Sequence, residues 1–344
     1  MSHTISKFAV AVVAAALIGL AAGDALAQSK IFKAETANPG SENHAVAVVL
    51  GKIFQEKLGI STQINDSQTL TRSSMKLGRA QIDWMALPPP IYFFMTKGMA
   101  MYKKKLSKEA PKAAANIRTI LSYSAVVFHG VTFASSGIKT FKDIKGKRVF
   151  TGPPSGAAGT TQEALIRVIT GYEPNKDYKA IRLRWGSGLQ AMMDGKLDVF
   201  MRPGAPGSAL IQQLGLSKDF RLLDAGDAVT TDAFKKWLKV PGRVPGTIPA
   251  NTYKGQVNAD QTIRTGGVVY QIAVRKGIDD DTIYKMTKAV WDNLDDIHKT
   301  AAVLKVIKKE TPFTGMIAPL HPGAVTYYKE VGIDIPKRLL PPAS

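Results

Sequence analysis

The chain has no cysteine among its 344 residues. That excludes disulfide staples, thiolate metal sites, thiol nucleophiles and thiol redox chemistry, and it leaves no attachment point for a lipoprotein anchor. A chain of this length buries enough surface without staples, and the length itself suggests two domains. Histidine is scarce: His3, His44, His129, His298 and His321, no two of them at helical metal-ligand spacing. Long apolar runs are missing too, except at the N-terminus, where "FAVAVVAAALIGLAA" (Phe8–Ala22) follows Lys7 and precedes "ALA" at Ala25–Ala27. That run is shorter than the ~20 residues a membrane span needs. A basic start, an apolar core and small residues at the cleavage site predict a signal peptide over 1–27, with Gln28 opening a mature periplasmic protein. An uncleaved anchor is the alternative.

Acidic residues are also short. Asp and Glu number 27 against 46 Lys and Arg, a net charge of +19, which favours anionic partners such as small acids, nucleic acid or anionic lipid. The densest run is "YKKKLSK" (Tyr102–Lys108); a lysine run is ordinarily a solvated surface. No basic segment interleaved with aromatics is found, so nucleic-acid binding is not expected.

What is present is a pattern that occurs twice. "KIFKAETA" (Lys30–Ala37) reads as a strand, "NPGSEN" as a turn, and "HAVAVVLGKIFQEKLG" as a helix with Val46, Val49, Leu50, Ile53, Phe54 and Leu58 at helical spacing. "LGRAQIDWMALPPP" (Leu77–Pro90) then ends a helix at glycine, enters a buried strand at Ile-Asp and stops at prolines. The second occurrence is "GKRVF" (Gly146–Phe150), the turn "TGPPSGAAG", a helix "TTQEALIRVITG" whose Thr160 and Glu163 have capping-box spacing, and "MDGKLDVFMRPGAPG" (Met193–Gly207).

This order predicts duplicated α/β architecture with largely parallel sheets, whose ligands gather at the carboxyl ends of strands. Both Gly/Pro turns occupy that position. "IRTILSYSAVVFHGVTFA" (Ile117–Ala134) and "IRTGGVVYQIAVRKG" (Ile263–Gly277) are extended, β-rich candidates for two crossings between domains, and the segment from Asp280 has Ile283, Met286, Val290, Trp291, Leu294 and Ile297 at the spacing of a packing helix. The expected fold is α/β: a periplasmic-binding-protein-like clamshell, two lobes with a hinge and a ligand cleft between them. Residues 28–134 and 270–344 form lobe 1, and residues 135–269 form lobe 2.

Catalytic motifs fail one by one. Gly152, Gly156 and Gly159 have neither P-loop nor dinucleotide spacing. Ser155 lacks the flanking glycines of a nucleophile elbow, having Pro153 before it and Ala157 after it. Asp83 and Asp198 read as structural residues at helix-to-strand steps. No enzyme, no metal and no cofactor is expected. What the second turn can do is bind an anion. The first N–H groups of a helix are unpaired and carry partial positive charge. Gly156 and Gly159 permit close approach, and Ser155, Thr160 and Thr161 add hydroxyls; simple helix capping is the alternative.

These residues resemble the TAXI family, the extracytoplasmic solute receptors of tripartite ATP-independent periplasmic (TRAP) transporters. "SSGIKTFKDIKGKRVFTGPPSGAAGTT" (Ser135–Thr161) is similar to the family's most recognisable block, "MMDGKLDVF" to its helix-to-strand step, and "APLHPGAVTYYKEVG" (Ala318–Gly332) to its closing segment. The resemblance implies two α/β lobes closing on a small solute, often an amino acid or organic acid, and delivery to a membrane permease driven by an ion gradient. It departs at the first turn, where Ser41, Glu42 and Asn43 replace the usual aromatics, and at "FMRPGAPG", where Arg202 follows a strand that in the family ends small or apolar.

The expectation is therefore a periplasmic receptor, acting as a monomer, for a small anionic solute, a carboxylate or an amino acid. Its binding residues would be Gly40, Ser41, Glu42 and Asn43 from one lobe and Ser155, Gly156, Gly159, Thr160 and Thr161 from the other. Arg202 would form a bidentate pair with a carboxylate, or else an interdomain salt bridge. Trp185 would form a wall, or else core packing. The alternatives are a receptor for an ABC importer or a sensor, an exported serine hydrolase using Ser155, and a basic surface-binding protein.

Overall fold

The computed structural model describes residues 30–154 and 156–342. The segment 1–27, expected to be a signal peptide, and Ser155 lie outside the described residues. In chain order the first part runs β1 (Ile31–Glu35), α1 (Glu42–Leu58), β2 (Ser61–Asn65), α2 (Leu70–Gly78), β3 (Trp84–Leu87), α3 (Pro89–Thr96), α4 (Glu109–Ala114) and the long β4 (Ile117–Phe133). The second part runs β5 (Arg148–Gly152), α5 (Ala157–Thr170), β6 (Lys179–Arg182), α6 (Trp185–Met193), β7 (Val199–Gly204), α7 (Ala209–Ser217), β8 (Phe220–Leu222), α8 (Asp232–Leu238), β9 (Arg243–Ile248) and the long β10 (Ile263–Arg275). The chain ends with α9 (Asp280–Asp292), α10 (Leu294–Thr300) and α11 (Pro322–Glu330).

The two readings of the repeat take the same form in space. Strand order is β2-β1-β3 in the first and β6-β5-β7 in the second, and all of these pairs are parallel. Each repeat is tied by the same clamp. The Asp83 carboxylate accepts the Lys33 backbone N–H at 2.8 Å while the Asp83 N–H donates to the Lys33 carbonyl at 2.8 Å. Asp198 does the same with Arg148, at 2.7 and 2.9 Å. A guanidinium completes each clamp: Arg275 on Asp83 at 2.7 Å and Arg148 itself on Asp198 at 2.7 Å. These aspartates thus tie the start of one strand to its neighbour, which is the structural role their place at a helix-to-strand step predicts. Gly59 and Gly171 end α1 and α5 in the left-handed region, at φ 67 and 79, where a side chain would be strained.

Between the repeats lie the two crossings, as β4 and β10. They pair antiparallel with each other; the far end of β10 pairs with β3, and the far end of β4 with β7. One ten-stranded mixed sheet results. Side chains alternate along it as the pleat requires. Trp84 and Ala86 enter the core under α1 and α9, while Met85 and Leu87 enter the one under α2, α3 and α4. In the second repeat Val149 and Val199 meet α5 and Phe150 and Phe200 meet α6 and α7. The largest core cluster runs unbroken from Val46 and Leu50 of α1 through Tyr123 and Phe128 to Leu165 and Trp237.

One helix differs from expectation. The segment from Asp280 is two helices, because Asn293 leaves helical geometry (φ −115, ψ 23) and turns its own amide onto the Ala289 carbonyl at 2.8 Å. Met286 and Trp291 are buried in the core, as their spacing predicts.

Candidate ligand-binding cleft

The carboxyl ends of β1, β3, β5 and β7 converge on one cavity of about 80 Å³, at the position expected for a ligand of a parallel sheet. From the first repeat come Ser41, Glu42 and Asn43. From the second come Gly156, Thr161, Trp185 and Arg202.

The first turn is stitched together by its own side chains. The Ser41 hydroxyl donates to the Asn38 carbonyl at 2.7 Å, and the Asn43 amide oxygen accepts the Ala37 N–H at 3.1 Å. Glu42 opens α1 and is only 8 % exposed. Burial raises its pKa; the N–H groups of Glu42 and Asn43 and the charge of Arg202 oppose that rise. An acid at this position satisfies the positive end of its own helix.

The second turn is built differently. Gly156 is the N-cap of α5 and offers no side chain to it. The first helical N–H, that of Ala157, donates to the Thr71 hydroxyl of α2 at 3.0 Å, across the cleft. Arg202, near the end of β7, is 4 % exposed. Its Nη2 donates to the Asn38 side-chain oxygen at 3.1 Å, again across the cleft, and its guanidinium carbon lies 4.9 Å from the Trp185 ring centre. Its Nε is buried with no hydrogen-bond partner among the described residues. Burial pulls the Arg202 pKa down to about 10, against the pull of Glu42. An arginine stripped of water and left without a carboxylate is a ready bidentate site for one.

Two tyrosines that sequence reasoning missed form the back of the site. Tyr270 lines the cavity and stacks on Tyr123 at 5.6 Å, with the rings 8° from parallel. The Asn43 amide donates to the Tyr270 hydroxyl at 3.5 Å, and burial holds the Tyr270 pKa above its ordinary value. Behind Arg202, His129 sits opposite it in the β4–β7 register. Its Nδ1 donates to the Val127 carbonyl at 3.1 Å and its Nε2 accepts from Tyr253 at 2.7 Å. Burial foremost, and Arg202 after it, push His129 down to about 4, so it is a neutral strut.

The remaining sequence candidates lie elsewhere. Gly40 (φ 82) faces Leu210 of α7, whose Cγ is 3.3 Å from where a Cβ would stand. Gly159 faces its own repeat, with Arg182 Nη1 at 2.8 Å from such a Cβ, and Thr160 is exposed. Thr160 does not cap α5, because the helix has already begun at Ala157; Glu163 instead holds Thr151 at 2.9 Å and Arg182 at 2.5 Å. The residues missed include Thr71, Pro88, Ile91, Val126 and Phe128. Pro88 was within reach of the strand-end rule that singled out Arg202, since "LPPP" closes β3 as "RPG" closes β7. Thr71 carries no local signal of a role, because its partner lies 86 residues away.

Among the described residues no group of three His, Asp or Glu could hold a metal ion, and no helix is long and apolar enough to cross a membrane.

Residues 34–332 match the profile of the NMT1-like family. Among solved structures, the chain is similar to one described as a periplasmic transporter, at 15 % identity over 89 % of this chain and 94 % of that one, with a TM-score of 0.53. It is similar to the histidine-bound substrate-binding protein of an ABC uptake transporter from Streptococcus pneumoniae at 14 % identity (82 % and 94 % covered, TM-score 0.48). It is also similar to a TRAP periplasmic solute-binding protein from Ralstonia eutropha with bound (S)-2-acetolactate at 9 % identity (89 % and 86 % covered, TM-score 0.47). At such identities the likeness is one of fold alone; the structure with the TM-score of 0.53, together with the two strand-turn-helix repeats bridged by β4 and β10, gives the periplasmic-binding-protein clamshell.

Proposed function

The chain belongs to the NMT1-like family, and from that premise we propose that it is an extracytoplasmic receptor that captures a small carboxylate-bearing solute between two lobes and hands it to a membrane permease. The observation that carries this reading is Arg202: a buried guanidinium at a cavity wall, with Nε unpaired and no carboxylate within 4.0 Å among the described residues. A solute carboxylate supplies the missing charge, and the N-terminus of α5 lines the same cavity.

The moving bodies are residues 28–134 with 270–344, and residues 135–269, turning about β4 and β10. The Thr71–Ala157 and Asn38–Arg202 bonds join them when closed. A solute that touches both bodies favours the closed form, which the permease would recognise. The N-terminal segment supports export to the periplasm.

The reading is tested by thermal shift of the mature protein, stripped of solute by unfolding and refolding, against carboxylic and amino acids. One site at 100 times its Kd adds ~2.7 kcal/mol, which raises the melting temperature by about 4 °C for a chain of this size. A selective shift that Arg202→Ala abolishes is expected; no shift with any carboxylate overturns the reading.

The permease divides two readings. The Ser135–Thr161 and Ala318–Gly332 blocks support a TRAP permease by their TAXI-type resemblance. The clamshell fold supports an ABC importer or a sensor as well. Uptake of the solute that collapses with the ion gradient while ATP is intact identifies the first; uptake that follows ATP identifies the second.

A further inference from the structure

We propose that the solute is a zwitterion, a neutral amino acid with an apolar side chain, held with its carboxylate at Arg202 and its ammonium at Glu42. This rests on the receptor reading above and names its solute class.

Glu42 and Arg202 come from opposite sides of the cleft and line the same cavity. Both are buried, at 8 % and 4 % exposure. They feel each other's charge, yet no ion pair within 4.0 Å joins them, and neither has any other counter-ion at that range among the described residues. Two buried opposite charges that face one cavity without touching are costly when it is empty. A molecule carrying the opposite charge at each end offsets both at once.

The polarity of the two helix starts assigns the ends. The N-terminus of α1 already holds an anion of its own, the Glu42 carboxylate, so a second anion there meets repulsion. The N-terminus of α5 begins with Ala157, carries no acid in its first turn, and lines the cavity from the same repeat as Arg202. The carboxylate therefore belongs at α5 and Arg202, and the ammonium at Glu42, whose carboxylate also accepts a hydrogen bond from the Tyr270 hydroxyl. Between the ends the wall is apolar, built from Pro88, Ile91, Val126, Phe128 and Val268. It suits an aliphatic or aromatic side chain. A dicarboxylate would place its second charge against Glu42 or the apolar wall.

The test uses the refolded, solute-free mature protein and isothermal titration. The probes are the neutral apolar amino acids, each matched with its deaminated acid and its decarboxylated amine; for leucine these are 4-methylpentanoate and 3-methylbutylamine. The expected result is binding of at least one amino acid, with both matched analogues weaker by about tenfold or more, as for loss of one charge-assisted hydrogen bond. Glu42→Gln should weaken the amino acid by a similar factor and leave the deaminated acid unchanged or tighter. A deaminated acid that binds as well as its amino acid overturns the zwitterion and leaves the carboxylate receptor standing. An amino acid whose affinity is unmoved by Glu42→Gln also overturns it. No binding by any carboxylate-bearing probe overturns both readings together. The matched wild-type series decides the matter even where the variant fails to fold.

Discussion

The two repeats differ most where they correspond most closely. Lys33 and Arg148, Glu42 and Ala157, and Asp83 and Asp198 are each 115 positions apart, and each pair holds the same place: a clamped strand start, a helix start, a clamping aspartate. Counted from the aspartates, Pro88 answers to Pro203, and both line the cavity. Leu87 answers to Arg202, and there the likeness ends. In the first repeat the strand end is apolar and the helix start is an acid; in the second the strand end is a cation and the helix start is alanine. The scaffold positions are copied, and the charges that would select a solute sit on opposite elements in the two copies. Duplication in this molecule supplies the place for chemistry, and divergence at two positions supplies the chemistry.

The sharpest way to break that contrast is to write one repeat into the other. Ala157→Glu gives α5 the acid that α1 has, and it should abolish carboxylate binding by more than about a hundredfold, because a tethered acid then occupies the Arg202 side; titration checks this, with circular dichroism to confirm folding. Retained affinity would mean the two helix starts are equivalent after all.

The clamps probe the shared part. Asp83→Ala and Asp198→Ala should each lower stability by roughly 1–3 kcal/mol in urea unfolding, since each removes hydrogen bonds to a charged group that is partly exposed. Similar losses are expected from the two, and a wide disparity would break the equivalence.

Glu42 sharpens it through pH. Its pKa is raised in the folded chain, so its stabilising contribution is complete below the ordinary glutamate pKa and is lost as pH rises through the folded value. Solute-free Glu42→Gln should therefore melt higher than wild type at pH 8, with the gap closing near pH 4. Affinity for a zwitterion should run the other way in wild type, falling as acid protonates Glu42. The groups that face it are Arg202, Tyr270 and Tyr123.

The smallest effect belongs to Thr71. Thr71→Val removes one hydrogen bond across the cleft and should weaken solute binding by about fivefold, near 1 kcal/mol.

Much of this was legible in the residues. Strand-turn-helix order, the clamping aspartates and both crossings follow from hydrophobic period and Gly/Pro punctuation, because these are local signals. The capping pair Thr160 and Glu163 points to a helix start at Thr160, but it stands one turn inside α5, whose N-cap is Gly156, a residue with no side chain to announce it. The break at Asn293 was hidden by an apolar pattern that continues through it into α10. Thr71, Tyr123 and Tyr270 escaped notice for another reason. Their place in the site exists only once β4 and β10 bring distant segments together, and no short window of sequence carries that information.

The route of β10 has a further consequence for how the chain reaches this state. β3 pairs with β10 through Leu87 and Gln271, so the first repeat lacks its inner neighbour until the whole of the second repeat has been made. Long-range pairing of this kind slows folding, since the loop must close before the contact rewards it. The last long strand is thus the keystone of the sheet: until β10 is made, β3 has no partner on its inner side.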